Sequence, residues 1–395
     1  MEGPTTASLL RRINRAAVLE VLRRESPIAR TQIARRVHLS LPTVMRIIDE
    51  LKEEGLVREE GKSEPTRGRR RSLLAFNGEG YAVIGVDMGG TKMFGGVANL
   101  NGDVLYEKYT HPGTSSPEES VERLCDLLAE LIDAAEETGL PIRGIGIGAP
   151  GVTLHEEGIV VWAPSLGWRD LPLQQILADR FPFPIFVEND VNLAALGEMG
   201  FGAGQGARDL VCIAVGTGIG AGIIVGGALY RGHHEAAGEV GYLLPGTQFL
   251  GRRYNGFGAL ESLASGTGVA ERARKVLAER GMLPSNGKIT AQEVFAAARR
   301  GEDWAQQVVD ETVDYLALAI ASVSAVLDPE VVVLGGGVAR SADLLIEPIR
   351  RRLEGVVPYV PRLAASPLGR RAALMGAVML VLNVTMESFV VRRLP

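Results

Sequence analysis

Three times along this chain a short run of apolar, β-branched residues opens directly into a cluster of glycines. Tyr81-Ala82-Val83-Ile84-Gly85-Val86 leads into Asp87-Met88-Gly89-Gly90-Thr91-Lys92, Val215 into Gly216-Thr217-Gly218-Ile219-Gly220-Ala221-Gly222, and Val331-Val332-Val333-Leu334 into Gly335-Gly336-Gly337. Runs of this kind read as buried strands. The glycines let backbone N–H groups approach an anion closely, and a neighbouring carboxylate such as Asp87 suits Mg²⁺ or a water bound to it. Any one of these loops is also an ordinary tight turn. Three in succession, each after a strand, describe an α/β fold with a duplicated nucleotide cleft.

Between the first two loops, Pro184-Ile185-Phe186-Val187-Glu188-Asn189-Asp190 reads as a strand that delivers Asn189 and Asp190 to the start of a helix running from Val191 to Met199. A carboxylate there can accept a proton from a hydroxyl that attacks a γ-phosphate. It can equally be an N-cap, and the two roles are compatible.

At 395 residues the chain exceeds a single ordinary core, so two or three domains are expected. The net charge of −5 conceals a division near Gly80. The first 80 residues hold sixteen Lys/Arg against eleven Asp/Glu, and the remainder holds 26 against 36. A basic head on an acidic body suits a head that meets phosphates. Cys125 and Cys212, far apart and in no CxxC, suggest neither a disulfide framework nor a thiolate metal cluster, which fits a reducing cytoplasm. The N-terminus lacks the apolar stretch of a secretion signal. Leu210 to Tyr230 carries no charge and is long enough to cross a bilayer, but six of its residues are glycine, which favours two strands around a tight loop.

The head has its own pattern. Leu9, Ile13, Ala17, Leu19 and Leu22 mark one side of a helix from Ser8 to Arg24. Thr31 is placed to cap a short second helix ending at Val37. After the turn His38-Leu39-Ser40, Ser40 and Pro42 start a third helix reaching about Glu54, with Val44, Ile47, Ile48 and Leu51 inward and Thr43, Arg46 and Lys52 outward. Leu56-Val57 and Leu73 to Phe76 then form short strands around a basic tip, Lys62 to Arg71. This is the layout of a winged helix-turn-helix, one helix for the major groove and a wing of cations. Thr31, Gln32, Ser40, Thr43 and Arg46 are the candidate groove residues, Thr43 and Arg46 for base edges. Arg67, Arg69 and Arg70 are candidates for a minor groove.

Beyond the head, the chain carries DMGGTK at 87–92, GIGAPG at 146–151, WAPSLGW at 162–168, ENDVN at 188–192, GTGIGAGI at 216–223, AAGEVGY at 236–242, GALES at 258–262 and GGGV at 335–338. With the head, this series resembles the ROK family, which groups sugar-responsive repressors with sugar kinases on a two-lobed, actin-like, duplicated ribonuclease H-type fold. The resemblance implies a winged helix-turn-helix and linker at 1–80, a first lobe at 81–190, and a second lobe at 191–395 whose C-terminal helix returns to the first. It implies that Asp190 is the catalytic base of any kinase activity, and that Asn189, Glu239 and Glu261 bind sugar hydroxyls. The resemblance further implies that Asp87, Gly89, Gly90, Thr91, Lys92, Gly216, Thr217, Gly218 and Gly335 to Gly337 serve any ATP and Mg²⁺ that is bound, and that the protein is a homodimer or a higher homo-oligomer.

Two departures stand out. The family follows its Gly-Glu with IGH and a CxCGxxGCLE stretch whose His and three Cys hold a structural zinc. By that match the ligand positions here are Tyr242, Arg252, Tyr254 and Ala259, which supply no thiolate, imidazole or carboxylate, so no zinc is expected. Ser165 stands where the family often has a sugar-contacting Asn. With Tyr242 it marks a rebuilt sugar pocket. The expected function is a sugar-responsive repressor of carbohydrate-metabolism genes that binds operator DNA and a small sugar; the alternative is an ATP-dependent sugar kinase, alone or as a second activity.

Overall fold

A serine hydroxyl and a proline decide where the third helix of the head begins. In this computed structural model, which describes residues 6–62, 72–113, 116–254, 258–284 and 287–385, Ser40 Oγ accepts the Thr43 N–H at 3.4 Å, with Pro42 in the first turn. The head consists of α1 (Thr6–Glu25), β1 (Ile28–Ala29), α2 (Arg30–Arg36), α3 (Leu41–Glu53), β2 (Val57–Lys62) and β3 (Ser72–Phe76). Its sheet runs β1-β3-β2. The wing arginines Arg67, Arg69 and Arg70 lie outside the described residues.

Two local expectations need correction. Ile28 and Ala29 pair with Leu74 and Leu73, which holds the backbone extended through Ala29, so α2 starts at Arg30 and Thr31 lies inside it rather than capping it. Gln32 instead reaches back, its Oε1 accepting the Ala29 N–H at 3.1 Å. On α1 the buried residues are Ala16, Val18, Leu19 and Leu22, whereas Ile13 and Ala17 are only half-buried. That helix is covered from two directions. Val18, Leu19 and Leu22 share one apolar cluster with Ile47, Ile48 and Leu51 of the head and with Leu374, Met375 and Val378 of the body.

The first lobe contains β4 (Ala82–Met88), β5 (Met93–Asn99), β6 (Val104–Thr110), α4 (Pro117–Glu137), β7 (Ile142–Ala149), a small sheet of β8 (Val152–Leu154), β9 (Ile159–Ala163) and β10 (Trp168–Leu171), α5 (Leu173–Ala178) and β11 (Ile185–Asn189). Its main sheet is ordered β11-β7-β4-β5-β6. The chain continues through α6 (Asp190–Phe201), β12 (Leu210–Val215), β13 (Ile219–Val225), β14 (Ala228–Leu229), α7 (Glu261–Ala264), α8 (Gly266–Glu279), α9 (Ala291–Arg299), α10 (Asp303–Leu327), β15 (Val331–Gly335), α11 (Ala342–Leu353), β16 (Arg362–Ala365) and α12 (Ala372–Thr385). Its sheet is ordered β14-β13-β12-β15-β16. Number the strands of each sheet in chain order and both read 3-2-1-4-5, with the first three antiparallel and the last two parallel to the first. This repeated topology is the duplication that the glycine loops suggested.

Leu210 to Tyr230 forms the antiparallel pair β12 and β13 with the short β14, and no helix among the described residues is long and apolar enough to cross a membrane. The apolar side of α10 is core: Trp304, Val308, Leu316 and Ile320 pack with residues of α8, α9 and α11. Helix α12 is buried from Ala372 through Leu382, as a helix apolar on every side must be. It packs on α6 and on β4, β5 and β7 of the first lobe.

Candidate functional site

The two sheets present their glycine loops to one another across a cleft of about 1210 Å³. Asp87, Gly89, Gly90 and Thr91 reach it from the end of β4, Gly216, Thr217 and Gly218 from the β12–β13 turn, and Gly335 to Gly337 from the end of β15. Ser165, Asn189, Asp190, Glu239, Tyr242 and Glu261 line the same space. Lys92 does not. It is exposed, and its carbonyl accepts the Gly89 N–H at 2.9 Å, so it closes the turn through its backbone and leaves the cleft wall to its neighbours.

The close approach explains two of the glycines. A Cβ on Gly90 would lie 2.7 Å from Ser165 Cβ, and one on Gly218 would lie 2.7 Å from Glu261 Oε2. Both loops therefore pack against candidate sugar contacts, and a side chain on Gly218 would displace the Glu261 carboxylate. Glu261 is held there by the Ile219 N–H, which donates to Oε2 at 2.8 Å.

Asn189 is the N-cap of α6. Its Oδ1 accepts from the N–H of Val191 (2.9 Å) and Asn192 (3.0 Å), and its Nδ2 donates to Gly151 O at 2.9 Å. With the cap filled by Asn189, Asp190 is the first residue of the helix, and its Oδ1 meets the Val191 N–H at 2.9 Å. Behind them Glu188 is fully buried. Its Oε1 accepts from Asn189 N and Asn192 Nδ2, each at 2.9 Å, and its Oε2 receives Arg231 Nε (2.9 Å) and Nη2 (2.7 Å).

The electrostatics of the cleft are unusual because four carboxylates converge in it. Loss of hydration, reinforced by the nearby Asp87 charge, pushes Asp190 up to about 8, and loss of hydration pushes Asp87 up to about 6. Glu239 is raised by burial and then by Glu261, and Glu261 by burial. Asp87 and Asp190 form a donor set that a divalent cation would relieve, so the residues present fit Mg²⁺ and an anionic nucleotide. The zinc-type positions do not fit a metal: Tyr242 is half-exposed on the cleft wall, Arg252 stacks over Phe249, and Ala259 is buried.

Some lining residues escaped sequence reasoning. Trp162, within the quoted WAPSLGW stretch, faces the cleft, whereas its companion Trp168 is buried and donates from Nε1 to Ser120 Oγ at 2.8 Å. Arg340 and Arg370 line the cleft from short 3₁₀ turns at Val338–Ser341 and Gly369–Arg371, and no local motif announces them.

The head offers a second surface. Among the described residues, several of its basic side chains are tied up internally: Arg11 to Glu50, Arg15 to Glu54, Arg36 to Glu25, and Lys52 and Arg30 to Glu59. Arg46 is exposed on α3, opposite the buried Val44, Ile47 and Ile48, and enters none of these pairs. Ser40 and Thr43 are hydrogen-bonded to one another at 2.8 Å at the start of that helix. Further along, the outer face carries Asp49, Glu50 and Glu53, which repel phosphate. Only the first two turns of α3 suit a groove.

The family model described as "ROK family" matches residues 83–384, and one described as "Winged helix-turn-helix DNA-binding" matches 11–58. The chain belongs to the ROK family. Among its relatives, a xylose repressor from Caldicellulosiruptor bescii is 31% identical over 386 residues, covering 95% of this chain and 97% of the relative. A crystal structure of a ROK family transcriptional regulator, a homologue of the E. coli MLC protein, superposes with a TM-score of 0.83 at 25% identity, covering 96% of this chain and 98% of the other. A ROK family glucokinase from Streptomyces griseus, solved with glucose and AMPPNP, gives 0.67 at 31% identity and covers 76% of this chain and 98% of its own. The regulators match head and body of this ROK protein, and the kinase matches the body.

Proposed function

We propose that this ROK protein is a sugar-responsive transcriptional repressor that binds operator DNA through α3 and the wing and an aldose effector in the cleft. One observation carries this reading: the first helix of the head shares an apolar cluster with the last helix of the body. Val18, Leu19 and Leu22 of α1 pack in one cluster with α12, α12 packs on α6, and α6 begins with Asn189 and Asp190. A sugar held by those two residues and by Glu239 and Glu261 bridges the lobes, and a change in interlobe angle reaches the head through α12 and the cluster it shares with α1. In a homodimer such a change alters the spacing of two recognition helices and hence operator affinity. D-Xylose is the first effector to test, since it is named in full-length relatives. The test is retardation of the gene's own upstream DNA at low salt, with and without D-xylose, D-glucose and other aldoses, alongside thermal-shift measurements with each sugar. Absence of any retarded complex would sink the repressor reading.

A second reading, retained sugar kinase activity, is favoured by Asp190 and the glycine loops. Asp190 would take the proton of the attacking hydroxyl, the loops would cradle phosphates, and Asp87 would hold Mg²⁺, which supplies charge neutralisation at the transferred phosphoryl group. A coupled ATPase assay over the same sugars tests it. Turnover lost in Asp190→Asn supports catalysis, and no turnover with any sugar removes it.

A further inference from the structure

The segment that leads to Glu239 belongs to the second lobe but is fastened to the first at two points. Arg231, just past β14, grips the buried Glu188 at the end of β11. Four residues on, Glu235 holds His155, which follows β8: the His155 backbone N–H donates to Oε2 at 2.9 Å and the imidazole Nδ1 to Oε1 at 2.6 Å. Glu235 is largely buried by this contact, with its side chain 14% exposed. Its backbone lies at φ 55°, in the left-handed region where a residue with a side chain is strained. A glutamate stands where glycine would be relaxed, and its side chain spans the lobes.

We propose that His155 and Glu235 are positioning residues of the effector site. Their clasp fixes the strap from Arg231 to Glu239, and with it the distance between Glu239 on one lobe and Asn189 and Asp190 on the other. Within the strap the Ala237 N–H donates to Arg231 O (2.9 Å), and Gly238 O next to Glu239 accepts the Ala221 N–H of β13 (2.7 Å), so the strap carries Glu239 on short backbone between Glu235 and β13. Arg231 and Glu188 anchor the other end and also hold Asn189 through its N–H. The clasp thus selects the cleft width at which all four sugar contacts can be met at once, and effector affinity depends on it although neither residue lines the cleft. The inference rests on the sugar-effector reading above.

The test uses the full-length protein and the variants His155→Ala, His155→Asn, Glu235→Gly and the His155→Ala/Glu235→Gly pair. Glu235→Gly relieves the left-handed backbone while removing the carboxylate, so it is expected to fold. Asn places its Nδ2 near where the imidazole Nδ1 stands and restores the side-chain donor. Hydrogen exchange of the strap amides without ligand is the first readout. His155→Ala and Glu235→Gly should each accelerate exchange at Ala237 by tenfold or more, His155→Asn should leave it near wild type, and the double variant should be no faster than the faster single one. Titration with D-xylose and the other aldoses is the second: His155→Ala, Glu235→Gly and the double variant should weaken binding of the effector at least tenfold, non-additively. If exchange is unaltered, or if the two substitutions act additively on exchange, the clasp is refuted. If the clasp variants alter exchange but bind an effector as tightly as wild type, the positioning role is refuted. If wild type binds none of the sugars, the effector reading fails, while the exchange data still decide whether the clasp exists.

Discussion

Arg23 Nη2, on the first helix of the head, lies 3.2 Å from Met379 Sδ on the C-terminal helix of the body, with the guanidinium 6.0 Å from the centre of the Phe201 ring. Burial holds its pKa below the usual arginine range, against the pull of Glu20. A cation placed at an interface of sulfur and aromatic carbon fixes orientation more than it adds stability.

Arg23→Leu should therefore change stability little, within about 1 kcal/mol, because an apolar side chain suits the same surroundings. It should nevertheless reduce the sugar-induced change in operator affinity by about fivefold or more, with sugar affinity itself nearly unaltered. Anisotropy titrations of labelled operator with and without sugar measure both. An unchanged response would mean that the shared core alone carries the coupling.

Arg46→Ala should lower discrimination between the operator and random DNA by about tenfold, with a smaller loss in non-specific affinity. Replacing Arg69 and Arg70 together should weaken binding to all sequences and flatten the dependence of log K on log salt by roughly 2. The reverse pattern would exchange the roles assigned to helix and wing.

The raised acids give a pH dependence of known sign. Asp190 titrates near 8 in the folded chain and near 4 when unfolded, so between those values the native state holds more protons. Its contribution to stability is intact below about pH 4 and is lost as pH rises through about 8. Asp190→Asn removes this loss. The variant should gain thermal stability over wild type as pH increases, by on the order of 5 °C at pH 8.5, with the two converging near pH 4.5. Calorimetry across that range checks it, and parallel curves would show that Asp190 is ionised at neutral pH. Adding Mg²⁺ should narrow the gap, since a cation stabilises the charged pair.

Purified without added metal, the protein should contain only substoichiometric zinc by elemental analysis, because Tyr242, Arg252, Tyr254 and Ala259 supply no tetrahedral ligand set. About one zinc per chain would show that other residues had taken over the site.

Much of this was legible from the chain. Hydrophobic periodicity and caps mark α3 and its inward residues, and strand-to-glycine transitions mark the loops of the cleft, because both signals depend on neighbours within a few positions. Ser40 caps as its position suggests. Where a distant strand intervened, local reading failed: β3 pairs with Ile28 and Ala29 and moves the start of α2 away from Thr31.

The sequence by itself determined the periodic elements, the glycine turns and the residues able to carry charge or hydrogen bonds at the cleft. Only the tertiary structure decided which of them meet. Arg340 and Arg370 enter the cleft, Lys92 leaves it, and among the described residues several of the head's cations pair with its own carboxylates while Arg46 stays exposed. The physical reason is that ion pairing, desolvation and apolar contact act over a few ångströms in space, between residues such as Arg23 and Met379 that stand 356 positions apart in the chain.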